Sequence, residues 1–234
     1  MTICLVALCV HMHTLIPEHA FLKRARPAVV RYAFMHPFEH QFGTTPVPGK
    51  VQLSAPDGSV EDLTGKGIRE DAWYRFSLQP RKRGDYYFVV EARPRVEDGV
   101  LLHEGAKVVL HVQSQNGWYR TVRAEKLDIL PLTRPYGLVP PAVFQGKVLF
   151  GGKPCAGCTL EIEKYNPVPP SRLPEDEFIT LTAVTDSNGL FTVSLPDLGW
   201  WAVTAVWTAG TEKVGGKELP VKHVFTFWIA VGVK

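Results

Sequence analysis

Short runs in which apolar and polar residues alternate recur along this chain, and each is cut off by glycine, proline or an Asp/Asn-rich turn. Lys50 to Ser54, Thr159 to Tyr165 and Leu190 to Leu195 follow that pattern, a period of two that fits a half-buried strand. The 20 glycines and 19 prolines are spread along all 234 residues, so no element has room to grow long. No stretch carries a helical period. The fold class expected is all-β, and the strand rhythm fits sandwiches of about seven strands. The length suits two such modules in tandem. The organisation expected is a leader-like segment over residues 1–12, an N-terminal β-sandwich over 13–129 and a C-terminal β-sandwich over 130–234.

Turn chemistry refines this reading. Strands are expected over Ala28 to Phe34, Ala72 to Leu78, Tyr86 to Ala92 and Ala106 to Val112. In the second module they are expected over Val143 to Phe150, Ile179 to Thr185, Trp200 to Trp207 and Val221 to Val231. Arg83-Gly84-Asp85 predicts a hairpin between the second and third of these. Asn116-Gly117 predicts a hairpin-type turn, because glycine accepts positive φ there. Asp186-Ser187-Asn188-Gly189 predicts a tight turn from which Leu190 to Leu195 pairs back. Pro131 to Pro141 reads as a stiff connection between the modules.

Composition excludes some functions. Apolar residues make up 45% and charged residues 21%, ordinary values for a folded protein. A net charge of +3 is too small for a nucleic-acid-binding face, and the Arg81-Lys82-Arg83 run reads as a solvated turn. No nucleophile elbow, phosphate loop or metalloprotease motif occurs, and the scattered carboxylates define no glycosidase pair, so the expectation is a protein that is not an enzyme. The six tryptophans fall mostly within strands, where core packing is the simpler role.

Ile3 to Val10 is apolar but far shorter than the ~20 residues that span a bilayer. It resembles the end of a secretory signal, with a buried first strand as the structural alternative. Export would place the protein in a periplasmic or other extracytoplasmic space. Without that segment two cysteines remain, Cys155 and Cys158. A local disulfide, two core thiols, and metal or redox work all stay open for them.

The second module carries recognisable content. Gly146 to Pro154, Thr159 to Glu163 and Thr185 to Val193 together resemble the transthyretin-like, carboxypeptidase-regulatory type of β-sandwich. Leu132 to Gly137, then Phe144 to Pro154, then the tryptophans after Gly199 resemble something narrower. That family comprises extracytoplasmic accessory components of energy-coupling-factor uptake systems for nickel and cobalt. The resemblance is strongest from Leu130 to Trp201. It implies Ni2+ or Co2+ as the transported ion and a membrane metal-uptake transporter as the partner. In such proteins a histidine follows the signal peptide, as His13 does here, and His-Pro-Phe-Glu follows the first strand, as His36 to Glu39 does. A histidine near His103 is also implied. The sequence departs where His40 stands in place of a glycine, and where no methionine follows.

The histidines themselves are the most informative chemical feature. Five of the eight lie before residue 41. Imidazole suits nickel, cobalt, copper and zinc. His11 and His13 would form a square-planar Ni(II) or Cu(II) site if processing freed the His11 amine. His36, Glu39 and His40 flank a proline turn able to converge on one ion. The candidate metal residues are therefore His11, His13, His36, Glu39, His40 and His103. His111, alternating with apolar residues, reads as structural, and His19 and His223 as surface residues. The expected function is capture of Ni2+ or Co2+ and delivery to a transporter, with Cu2+ or Zn2+ as alternative ions. The competing expectation is a structural or interaction sandwich that binds protein or carbohydrate.

Overall fold

The computed structural model describes residues 11–113 and 117–233. The Ile3 to Val10 segment and Asn116 of the expected turn lie outside the described residues. In chain order the strands are β1 (Met12–Pro17), β2 (Phe21–Leu22), β3 (Ala28–His36), β4 (Gln41–Phe42) and β5 (Lys50–Ser54). There follow β6 (Val60–Asp62), β7 (Ile68–Glu70), β8 (Trp73–Leu78), β9 (Gly84–Glu91) and β10 (Arg95–Glu97). The middle of the chain gives β11 (Val100–Val112), β12 (Leu127–Pro131), β13 (Ala142–Phe150), β14 (Lys153–Pro154) and β15 (Thr159–Lys164). A single helical turn, α1 (Asp176–Ile179), precedes β16 (Thr180–Val184), β17 (Leu190–Leu195), β18 (Gly199–Val214) and β19 (Lys217–Val231). The all-β expectation holds.

Three sheets result. The first has the order β1-β3-β8-β7, with β4 also on β3. The second runs β16-β15-β18-β19-β11-β9-β5-β6, with β2 and β10 on β11. The third joins β12, β13 and β14, with β17 also on β13. The long second sheet belongs to both halves of the chain. Its seam is a parallel pairing of β11 with β19, Leu101 opposite Val221 through Val108 opposite Trp228. The first sheet covers one face of it and the third sheet the other. On β11, Glu104 reaches His13 of β1, whereas Lys107 reaches Asp128 of β12. Positions three apart on a strand point to opposite faces, as that division requires.

Two expected hairpins are absent. β8 pairs with β3 and β7, while β9 pairs with β11 and β5. The chain between them crosses from one sheet to another, and the Tyr86 hydroxyl holds the crossing by accepting the backbone N–H groups of Arg81 and Lys82 at 3.1 and 2.8 Å. Likewise β16 pairs with β15, and β17 with β13. Asp186 still makes its turn, accepting the N–H groups of Asn188 and Leu190 at 2.8 Å each, but the turn switches sheets. Turn residues specify a change of direction. Which sheet the next strand joins depends on which face its apolar residues must bury. Ile179, expected in a strand, ends α1 instead. The strand from Trp200 continues to Val214 and returns through Gly215 and Gly216 into β19. Trp200, Trp201 and Trp228 are buried in the core, as expected, and Trp73, Trp118 and Trp207 are partly buried. The Pro131 to Pro141 connection contains a cis Pro140–Pro141 bond.

One buried ion pair ties the central sheet to the third. Lys107 is fully buried, its Nζ 2.6 Å from Asp128 Oδ1 and 2.6 Å from the Ile129 carbonyl. The Phe227 ring lies 4.5 Å from the ammonium. Asp128 Oδ2 also accepts the backbone N–H groups of Val122 and Arg123 at 2.8 and 3.1 Å. Both partners are hydrogen-bonded beyond each other, the condition under which a buried pair is tolerated. Lys107→Met would strand the Asp128 charge and is expected to cost about 3–5 kcal/mol in urea unfolding. Lys107→Met with Asp128→Asn should recover part of that loss: it removes the stranded charge but sets an amide donor against backbone N–H groups that the carboxylate accepts. Equal destabilisation in both variants would show that packing, not charge, sets the cost.

Candidate functional site

The first candidate histidines lie on β1 and β3. The register places Met12 opposite Met35 and His13 opposite Phe34, so His11 falls opposite His36. Alternation then puts His11, His13, Phe34 and His36 on one face. The His11 and His36 ring centres are 4.0 Å apart, and the His11 ring stacks on Phe34 at 5.1 Å. Space for His11 is provided by Gly43, where a Cβ would stand 2.8 Å from the ring's Cδ2.

His13 is not a loose terminal residue. It is 2% exposed, and its Nδ1 lies 2.9 Å from the Tyr32 hydroxyl. Its carbonyl accepts the Trp228 indole N–H at 2.9 Å, which ties β1 to β19. Its Nε2 is buried, makes no hydrogen bond, and lies 3.9 Å from Glu104 Oε2. Burial opposes ionisation of Glu104, but His13 and Arg95 together hold its pKa below the ordinary carboxylate value. Arg95 is held 2.8 Å from Glu104 and 2.9 Å from Glu97. Burial lowers the pKa of His11, with His36 and Arg95 acting the same way, while Glu39 and Glu97 pull in the opposite direction. Burial thus favours the neutral imidazole of His11, the form that ligates metals.

His40 is directed elsewhere. The turn from His36 to His40 is gripped by the second half of the chain. Glu163 accepts the Phe38 N–H at 2.8 Å, Asn166 donates its side-chain N–H to the Phe38 carbonyl at 2.6 Å, and the Asn166 N–H donates to Pro37 O at 3.0 Å. His40 closes the arrangement with Nδ1 2.8 Å from the Asn166 carbonyl, at a backbone φ of 55°. Its ring then faces Phe42 and Tyr165. A cleft of about 440 Å3 opens there, lined by His40, Trp73, Tyr165, Arg31 and Glu18 among others.

His103 stands apart from both groups, 5.3 Å between ring centres from His223 and 3.2 Å from Glu212. His223 is half-buried against Phe150 rather than a surface residue. His111 is structural as expected, 2.6 Å from Asp85 and stacked on Tyr136. His19 is exposed. Cys155 and Cys158 are free, buried thiols, and burial pushes both pKa values up. The structure thus brings His11, His13 and His36 to one sheet edge, with Glu39 acting on His11, and separates His40 and His103 from them. Among the described residues no three His, Cys, Asp or Glu side chains form a ready-made metal cage. Sequence reasoning missed Tyr32, Glu104, Arg95, Glu163 and Asn166. Tyr32, Glu104, Glu163 and Asn166 act through partners far along the chain, and Arg95 through two carboxylates of its own hairpin; none carries a local signature.

The class these features define is a sandwich-type all-β protein with a histidine-lined sheet edge. The chain belongs to the family described as a domain of unknown function, DUF4198, which matches residues 10–209. No curated protein matches it. Among solved structures, trypsin-activated alpha-2-macroglobulin from Escherichia coli is 13% identical with a TM-score of 0.31, over 94% of this chain and 16% of that one. A DUF4785 family protein from Legionella pneumophila is 8% identical with a TM-score of 0.31, over 82% and 50% of the two chains. The Yersinia pseudotuberculosis adhesin InvE is 14% identical with a TM-score of 0.25, over 91% and 58%. This chain therefore spans 16% of the length of the macroglobulin and about half that of the other two. Among the described residues no helix is long and apolar enough to cross a membrane.

Glu163 makes the grip on the turn pH-dependent. It is 3% exposed, and burial raises its pKa from 4.5 to about 7 against the hydrogen bonds from Phe38 and Thr180. The folded state holds this proton more tightly than the unfolded chain. Its contribution to stability is fully present below about pH 4.5 and is lost as the pH rises through 7. Between pH 5 and 8 the loss should be roughly 2–3 kcal/mol. Urea unfolding at both pH values is expected to show that fall in the wild type and little of it in Glu163→Gln.

Proposed function

We propose that this protein is an extracytoplasmic metal-binding accessory component that captures Ni2+ or Co2+ and hands it to a membrane metal-uptake transporter. The observation that carries the reading is the His11–His36 pair, two imidazoles at 4.0 Å on one sheet edge. Two nitrogens on such an edge suit Ni2+, Co2+, Cu2+ and Zn2+ alike. Glu39 and Glu97, whose negative charge acts on His11, favour a cation at this end of the sheet, and Arg95 is turned into Glu97 and Glu104. A site with few protein ligands at an edge suits capture followed by release better than a closed cage. The pair would open slightly to take an ion, since imidazoles sharing one metal at ~2.1 Å have ring centres roughly 5 Å apart. The proposal carries export with it, and the short apolar Ile3 to Val10 segment supports that part.

A second reading rests on the cleft beside His40. Trp73 and Tyr165, with the Arg31–Glu18 pair at 3.6 Å, offer aromatic faces and polar groups to a carbohydrate or peptide. The two readings separate in one titration. Tag-free protein is titrated with Ni2+, Co2+, Cu2+ and Zn2+ by calorimetry. The transport reading expects Ni2+ or Co2+ bound at micromolar or tighter affinity, weakened at least ~10-fold by His36→Ala. Absence of Ni2+ and Co2+ binding removes that reading, and binding of Cu2+ alone moves it to copper handling.

A further inference from the structure

The strands β11, β18 and β19 carry a second group of metal-ligand side chains that the sheet-edge histidines do not use. His103 and His223 face each other directly across the parallel seam, with ring centres 5.3 Å apart. Glu212, on β18, brings Oε1 to 3.2 Å from His103 Nε2. That nitrogen is buried and makes no hydrogen bond, although the carboxylate oxygen stands close by. A ring nitrogen and a carboxylate oxygen brought this close are both groups that ligate a transition-metal ion.

The backbone around them is shaped to the same end. The β18–β19 register shifts between Thr208 and Thr211, so Ala209 and Gly210 bulge opposite Val221. Gly210 supports the bulge with a φ of 76°, a conformation that side-chain-bearing residues avoid. Bulges recur where a strand must re-aim a side chain. The bulge begins two residues after Trp207, which pairs with His223, so it bends β18 beside the seam histidines. Burial and the neighbouring His103 and Arg123 lower the His223 pKa. Arg123 is occupied by Glu91 at 3.1 Å and by the Leu127 carbonyl at 2.6 Å.

We infer that His103, His223 and Glu212 form a second binding site, for a divalent transition-metal ion of the zinc, nickel, cobalt or copper class. Two imidazoles on a tetrahedral ion at ~2.1 Å have ring centres roughly 5 Å apart, close to the spacing present. The side chain of Glu212 is 53% exposed and free to turn inward, and that of His103 is 22% exposed, so an ion can enter from solvent. Two imidazoles and one carboxylate leave a tetrahedral ion a fourth position for water or a transferred ligand. His103 lies next to Glu104, which faces the other side of the sheet toward His13, so the site is separated by the sheet from the His11–His36 pair. It goes beyond the proposed uptake role and does not depend on it.

The test uses the full chain without a tag, with His11→Ala and His36→Ala removing the first pair. Zn2+ is titrated by calorimetry, and Co2+ by its visible absorption. The expected result is about one equivalent of ion bound, with affinity reduced at least ~10-fold by adding His223→Ala and more mildly by adding Glu212→Gln. Circular dichroism accompanies each variant. Glu212→Gln changes an exposed hairpin residue and keeps the test valid should His223→Ala unfold the seam. Absence of binding in the folded His11→Ala, His36→Ala protein overturns the inference, as does binding that neither added substitution weakens. Loss of binding to the sheet-edge pair alone would leave this result intact, so failure of one site is distinguishable from failure of the other.

Discussion

The parallel pairing of β11 with β19 is the constraint on which the rest of the molecule depends. It joins a strand of the first half to the last described strand of the second, and turns two sandwiches into one continuous sheet with a cover on each face. Every functional group described sits relative to that seam. Trp228 of β19 holds the His13 carbonyl, Glu104 of β11 faces the His13 ring, and Lys107, three residues further on, anchors the opposite cover.

The strands themselves were legible in the sequence. Lys50 to Ser54 and Leu190 to Leu195 were found to the residue, because alternation and flanking turns both act locally. Partnership was not legible. Arg83-Gly84-Asp85 has hairpin chemistry, yet β8 and β9 belong to different sheets, because each strand's apolar face is buried against a different cover. The β11–β19 seam leaves no trace in either segment, since backbone hydrogen bonding between distant strands is indifferent to side-chain identity.

The candidate site was legible to the same degree. The crowding of histidines before residue 41 pointed to one end of the first sheet, where His11 meets His36 and His13 packs on the neighbouring Phe34. His40 parted from them for a reason visible only in three dimensions. Its φ of 55° and its contact with the Asn166 carbonyl are imposed by the second half gripping the turn. Glu163, which accepts the Phe38 N–H, looks in sequence like one more alternating strand residue. His223 looked like a surface residue because nothing near it in sequence announces His103 across the seam.

The seam also sets an order of events during biosynthesis. A chain emerging from its N-terminus completes β1 to β11 while β19 has yet to be made. Until then one edge of β11 presents open backbone donors and acceptors over much of its length, next to the buried surface that the third sheet will cover. Pairing between such distant segments is slow, and exposed edges of this kind recruit other chains. The nascent protein therefore passes through a stage in which β11, the longest strand of its first half, is unshielded.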